Sequence, residues 1–392
     1  MNVIVKGPLL SVTGYGEHAR QVFQWALSKG WNVYAQIVPW GICTYHINPD
    51  AQNGLIEQVM MHSAPLPDGE TADLSLQIQL PDEWDLDLAK INIGITAGVE
   101  TDRCSPNWIA ACEKMSHVIV PSTFTKSVFT NSGLSPDHIS CVPEAYTCRH
   151  GPSEGYKQLR AGLEALPTKF NFLVFGQLTG QTPDTDRKNT FYCLKWIAET
   201  FKNDPDVGVI LKTNMGRMTV KDRQITTEMF TNVIKEIREE QYPRFYLAHG
   251  LMDNNEITAM YESDTIKALV APTRGEGWGL PILDAAVCGL PVIATSFSGH
   301  MDFMKEVKFL DLDYDTIPVP AEKIDGRCFI EGSLWVNVKE QSFKDRLKKF
   351  RKGPSLPKEW AMSAAPKLEE AYSLKSIFRH YDETVGGIID RT

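Results

Sequence analysis

Hydrophobic positions along the chain form two successive series in which short apolar runs alternate with stretches of helical spacing. In the first, Val3 to Val5 is a short apolar run, followed by a loop from Gly7 to Gly16. Ala19, Val22, Phe23, Ala26 and Leu27 then recur at helical spacing up to Gly30, and Trp31 to Val38 returns as a strand. This order predicts a βαβ unit. Residues 41–87 are irregular and polar, which predicts loops and short elements. Ile91 to Thr96 reads as a further apolar strand.

A stretch from Arg149 to Thr168 that mixes Gly, Pro and charge predicts a linker. Beyond it the alternation resumes, with strands at Phe170 to Gly176, Val207 to Thr213, Phe245 to Ala248 and Ala268 to Ala271. Helices are predicted at about Asn189 to Lys202, Gln224 to Glu240 and Asn254 to Glu262. That is a second parallel α/β domain. Val307 to Trp335 suggests a hairpin. Gln341 to Lys352 places Phe343, Leu347 and Phe350 on one face with Lys and Arg around the rest, which fits either a packed helix with a solvated face or a helix for membrane or nucleic acid. A last helix is expected over about Leu374 to Thr384.

The length of 392 residues suits two or three domains, and 43% hydrophobic with 23% charged residues is ordinary for a globular protein. The formal net charge of -9 weighs against a nucleic acid surface as the dominant partner. Eight cysteines, at 43, 104, 112, 141, 148, 193, 288 and 328, form no CxxC pair and no metal-like spacing, so reduced core cysteines and a cytoplasmic location are expected. No apolar run reaches the length of a transmembrane helix, and MNVIVKGPLL reads as a first strand rather than a signal peptide.

Chemistry concentrates in Ala271 to Thr295, APTRGEGWGLPILDAAVCGLPVIAT. Pro281 suits the first turn of a helix, Gly289 a left-handed stop, and Pro291 prevents continuation, so a helix is predicted from about Pro281 to Cys288. Asp284 is its only charged residue in an otherwise apolar or small sequence. A buried carboxylate needs donors, which a backbone group or the hydroxyls of a bound ribose would supply. The preceding Gly275-Glu276-Gly277-Trp278-Gly279 loop lets backbone approach a ligand and aims N–H groups from the helix start at an anion.

The string TRGEGWGLPILDAAVCGLPVIAT resembles the signature of the large retaining GT-B glycosyltransferase family, family 4 or glycosyl transferases group 1 type. That family carries two acidic residues separated by seven others. Glu276 takes the first place, and Asp284 takes the second with one methylene less. The resemblance implies the α/β GT-B fold, two Rossmann-like domains facing each other across a cleft. Residues 1–160 would be an acceptor-binding domain, 161–368 a nucleotide-sugar-binding domain, and 369–392 a helix crossing back to the first. The irregular 41–87 region is then a place for acceptor-specific structure. In the first domain, AGVETDRCSPNWIAACEKMSHVIVPS resembles a subset of the family through Glu100, Asp102, Trp108 and Val120-Pro121-Ser122. Glu100 and Asp102 are candidate acceptor-side residues; the family's frequent His-Asp pair has no histidine here.

The resemblance also implies a donor site built without metal or cofactor, on helix starts and two basic side chains. In FGQLTGQTPDTDRKNT, Lys188 matches the family lysine, while Gln177 stands where an arginine is expected, to be compensated by Arg187, Lys212 or Arg274. Glu276 and Lys188 are the candidate catalytic residues. Donor contacts are expected from Gly14, Gly16, Arg20, Lys188, Lys212, Arg274, Glu276, Gly277, Trp278, Gly279, Leu280 and Asp284, with Glu276 on the transferred sugar and Asp284 on the ribose diol.

The leading expectation is thus a retaining, metal-independent glycosyltransferase moving a hexosyl or pentosyl group from a nucleotide-diphosphate sugar to an unidentified acceptor hydroxyl. A catalytically silent GT-B assembly subunit and a sugar-nucleotide epimerase are the alternatives. A modified DNA base stays among the acceptors left open, disfavoured by the charge.

Overall fold

The computed structural model describes residues 1–148, 151, 153–177 and 182–391. The chain divides into two compact units. The first comprises Met1–Ala145, Ile324–Ser333 and the chain from Ala371; the second comprises Tyr146–Lys323 and Leu334–Glu370.

The first unit runs β1 (Asn2–Gly7), α1 (Gly14–Ser28), β2 (Asn32–Ile37), α2 (Leu55–Met61), β3 (Ala72–Ile78), β4 (Ala89–Ile95), α3 (Pro106–Cys112), β5 (His117–Val120), α4 (Thr123–Asn131) and β6 (Ile139–Cys141). Its six strands pair in parallel in the order β2-β1-β3-β4-β5-β6. Val22, Phe23 and Ala26 of α1 pack on Val3, Val5, Leu74 and Leu76. Trp108, Phe129, Val118 and Val120 form a separate apolar cluster.

The polar 41–87 stretch hides a central strand. In β3 the alternation of Leu74, Leu76 and Ile78 with Ser75 and Gln77 imitates a half-exposed strand, yet both polar residues are buried. Ser75 Oγ donates to Asn92 Oδ1 at 2.6 Å and Gln77 Nε2 to the Asp85 carbonyl at 2.6 Å, so they are satisfied internally.

The second unit begins with α5 (Glu154–Glu164), then β7 (Phe170–Phe175), α6 (Thr190–Thr200), β8 (Val207–Lys212), α7 (Val220–Ile237), β9 (Arg244–Ala248), α8 (Asn254–Tyr261), β10 (Ile266–Ala271), α9 (Leu280–Val287) and β11 (Val292–Thr295). It continues through α10 (Met301–Met304), β12 (Leu310–Leu312), β13 (Tyr314–Pro318), β14 (Leu334–Val338), α11 (Glu340–Lys352) and α12 (Ser355–Ala371). A final helix, α13 (Leu374–Ile389), places Ile377, Tyr381 and Val385 in the core of the first unit.

The second sheet is also parallel, in the order β12-β11-β10-β7-β8-β9. Strand order reverses between β7 and β10, since β8 and β9 extend one side and β11 and β12 the other. Open α/β sheets bind ligands at the carboxyl ends of the strands flanking such a reversal.

Several expectations change here. The stretch expected as a linker is largely α5, while Arg149, His150 and Pro152 within it lie outside the described residues. The expected hairpin is the antiparallel pair β13–β14. Helix α12 was not legible, because its apolar positions are sparse and Pro366 interrupts it. The basic helix α11 buries Phe343, Leu347 and Phe350 in the second core, and its Arg351 and Lys344 pair with Asp204 and Glu199. It is a packed helix with a solvated face. Among the described residues no helix is long and apolar enough to cross a membrane.

Candidate functional site

The carboxyl ends of β7 and β10 lead into the two segments that carry most of the expected chemistry. After β7, Asp186 organises a tight turn: its Oδ1 accepts the Lys188 N–H at 3.1 Å and its Oδ2 the Thr190 N–H at 2.6 Å, capping α6. Asn189 completes the turn in the left-handed region, φ 56°. After β10 comes Thr273 to Gly279. Three bonds stitch the segments together: Arg274 N to the Arg187 carbonyl at 2.9 Å, Arg274 Nε to the Asp186 carbonyl at 3.1 Å, and Arg187 Nη1 to the Gly275 carbonyl at 2.7 Å.

This stitching puts the Glu276 carboxylate between two cations. Its Oε1 lies 2.6 Å from Lys188 Nζ and its Oε2 3.2 Å from Arg187 Nη1. Burial pushes the carboxyl up, but Lys188 and Arg187 outweigh it and hold the group down to about 2. Glu276 is therefore a fixed anion at neutral pH. Both cations keep some solvent access, with side chains 24% and 17% exposed, so an incoming anion can reach them.

Gly277, Trp278 and Gly279 lead directly into α9. Gly279 adopts φ 100° and offers no side-chain cap; its carbonyl accepts the Ile282 and Leu283 N–H groups at 2.9 and 3.1 Å. Pro281 sits in that turn and Gly289 follows the helix at φ 63°, as the sequence predicts. Trp278 is buried and packs edge-on against Phe303 at 5.1 Å.

The remaining expected residues are placed as follows. Asp284 is 3% exposed on α9, and its carboxylate accepts Thr147 N at 2.6 Å, Thr147 Oγ1 at 2.5 Å and Cys148 N at 3.3 Å. It thus fastens the chain segment that enters the second unit. Arg274 is 1% exposed, lies over Trp335 and reaches Asn337 and Asn189, which makes it the buried strut of the two loops. Lys212, at the end of β8, is buried and donates to the Gly250 carbonyl at 2.6 Å; burial lowers its amine to about 8.

Gly14, Gly16, Arg20, Glu100 and Asp102 belong to the first unit. Thr13 Oγ1 caps α1 by accepting the Gly16 N–H at 3.2 Å. Arg20 is 2% exposed and donates to the Leu9 and Ser11 carbonyls, both at 2.9 Å, and to Glu17 at 2.6 Å, so it supports the loop from beneath. Asp102 pairs loosely with Arg103 at 3.5 Å. Among the donor-side expectations, then, the structure joins Lys188 to Glu276 and its glycine loop, while Arg20, Arg274 and Asp284 have their charged groups bound to neighbouring chain.

Sequence reasoning missed Asp186, Thr147, Ser298 and His300. Asp186 precedes Arg187-Lys188 by one residue and had a readable signal, an acidic residue four before a helix position. Thr147 meets Asp284 and Ser298 meets Glu276 from segments distant in sequence, while His300 holds the Ser298 turn through the Thr295 carbonyl, and nothing local marks them.

Residues 227–310, which include Glu276 and Asp284, match the family model described as glycosyl transferases group 1. No curated protein matches the chain. Among solved structures, HepE of Anabaena, crystallised with UDP and glucose, is 13% identical with a TM-score of 0.64 over 99% of this chain and 100% of that one. Sucrose-phosphate synthase from Thermosynechococcus elongatus is 12% identical, TM-score 0.64, over 100% and 99% of the two chains. A glycosyltransferase from Rickettsia africae is 11% identical, TM-score 0.67, over 100% and 99%. The chain therefore has the GT-B fold of two Rossmann-like domains, and its residues 227–310 are similar to the glycosyl transferases group 1 model.

Proposed function

We propose that the protein is a retaining glycosyltransferase that moves a sugar from a nucleotide-diphosphate sugar to an acceptor hydroxyl. The observation that carries this reading is the buried Glu276 carboxylate held between Lys188 and Arg187 where the second sheet reverses its strand order. HepE, of the same fold, is described with UDP and with UDP-glucose, which supports a uridine donor as the first to test.

The donor's diphosphate needs positive charge as the glycosidic bond breaks, because negative charge grows on the leaving phosphate. Arg187 and Lys188 supply two cations. In this scheme the diphosphate draws Lys188 and Arg187 from Glu276, and the carboxylate turns to the hydroxyls of the transferred sugar. Arg187 thereby fills the role left by Gln177.

The anomeric carbon's bond to the phosphate oxygen breaks as its bond to the acceptor oxygen forms on the same face. The acceptor proton passes to the departing phosphate oxygen, so the chemistry needs no dedicated base, metal or cofactor. The first unit, with Glu100 and Asp102, would receive the acceptor.

A thermal-shift panel tests the donor reading. A nucleotide-diphosphate sugar is expected to raise the melting temperature of the wild type in the presence of EDTA, and to raise that of Arg187→Met/Lys188→Met much less. No shift from any member of a panel spanning uridine, guanosine, adenosine and thymidine donors would contradict it.

A further inference from the structure

The turn Ser298-Gly299-His300, which follows β11, closes over the backbone of Glu276. Ser298 Oγ accepts the Glu276 N–H at 2.8 Å and donates to the Phe297 carbonyl. One residue later, Gly299 N–H donates to the Glu276 carbonyl at 2.8 Å. Both peptide groups that flank the Glu276 side chain are thus held by one short turn.

Two further features fix that turn. A Cβ on Gly299 would lie 1.9 Å from the Gly277 carbonyl oxygen, so the turn and the glycine loop touch backbone to backbone. His300 Nε2 lies 2.6 Å from the Thr295 carbonyl. A carbonyl only accepts, so this nitrogen carries the proton, and burial keeps the ring neutral by lowering its pKa. Thr295 Oγ1 in turn donates to the Thr273 carbonyl at 3.0 Å, referring the turn back to the segment that bears Glu276.

Ser298 itself has φ 81°, in the left-handed region where a side chain is strained and glycine is not. Glycine would relieve the strain there. What serine alone adds is the hydroxyl that meets Glu276. Strain held at such a place is a marker of function when an observed outlier coincides with a specific contact.

We infer that Ser298 is a positioning residue, a strained serine whose hydroxyl fixes the Glu276 backbone and so aims the carboxylate. This rests on the proposed role of Glu276 toward the donor sugar, and deepens it.

Ser298→Gly and Ser298→Ala separate the hydroxyl from the strain. Both remove the bond to Glu276; the first also relieves the left-handed strain, whereas the second keeps it. The melting temperature is expected to rise or hold in Ser298→Gly and to fall in Ser298→Ala, while kcat falls in both by about ten- to a hundredfold at little-changed KM. Hydrogen exchange of the peptide containing the Glu276 amide is expected to speed up at least about tenfold in both variants. A kcat that follows the melting temperature, or a kcat retained in Ser298→Gly, overturns the inference. So does unchanged exchange at Glu276. A wild type that transfers no sugar overturns the proposed function instead, and the exchange measurement still decides whether the turn holds Glu276.

Discussion

Loss of the Lys188 charge should destabilise the fold chiefly through Glu276. The ordinary carboxyl value of 4.5 falls to about 2 at Glu276, although burial alone would raise it. At about 1.4 kcal/mol per pH unit that fall corresponds to about 3 kcal/mol in favour of the folded, ionised state. Burial opposes this fall, so the two cations together contribute more than the net. Lys188 is the nearer, at 2.6 Å against 3.2 Å for Arg187, but its partial exposure screens the pair, so about 2 kcal/mol is its reasonable part. Lys188→Met is therefore expected to lower the unfolding free energy at pH 7 by about 2 kcal/mol, yet by under about 0.5 kcal/mol when Glu276→Gln is already present. Urea unfolding of the wild type, both single variants and the double variant, compared at constant slope, measures the coupling. Because the folded pKa lies below the unfolded one, the coupling is full above about pH 4.5 and declines as pH falls toward 2. Costs that add to within about 0.5 kcal/mol at pH 7 would refute the ion-pair reasoning.

Three further outcomes follow from the same geometry. Lys212, lowered to about 8 from 10.5, is neutral in the fold while still charged in the unfolded chain between those values, so stability gains a rising contribution from pH 8 to 10.5; Lys212→Met should remove that rise in a pH series of unfolding curves. Asp284→Ala leaves the Thr147 and Cys148 N–H groups without their carboxylate and should cost about 1–3 kcal/mol, read as a lower melting temperature; an unchanged value would contradict the fastening role. Gly299→Ala forces its new methyl against the Gly277 carbonyl and should abolish donor-induced thermal stabilisation, whereas Gly353→Ala, with open space around it, should not.

Much of the second unit was legible because its strands are continuous apolar runs bounded by turn residues, and because α9 carries its own start and stop in Pro281 and Gly289. The Glu276 loop and Lys188 were readable as types of residue in a pattern. Their meeting was not, since it depends on the strand reversal between β7 and β10 and on Arg274 joining two loops 88 positions apart in the chain. Burial also inverted appearances. Arg20 and Arg274 look in sequence like anion-binding guanidinium groups, but each has enough nearby carbonyl or amide oxygens to be buried as a support. Ser75 and Gln77 look solvent-facing and are not, for the same reason. In each case the deciding partner lies far along the chain or in a loop whose path the local pattern does not set.

Under the proposed function, Glu276 serves sugar transfer from a nucleotide-diphosphate donor. Release of nucleoside diphosphate, followed over a panel of such donors for the wild type and Glu276→Ala, tests it most directly. Release from at least one donor is expected for the wild type, with a loss of about a hundredfold or more in a Glu276→Ala protein that still folds. Equal rates in the two proteins, or no release from any donor by the wild type, would contradict it.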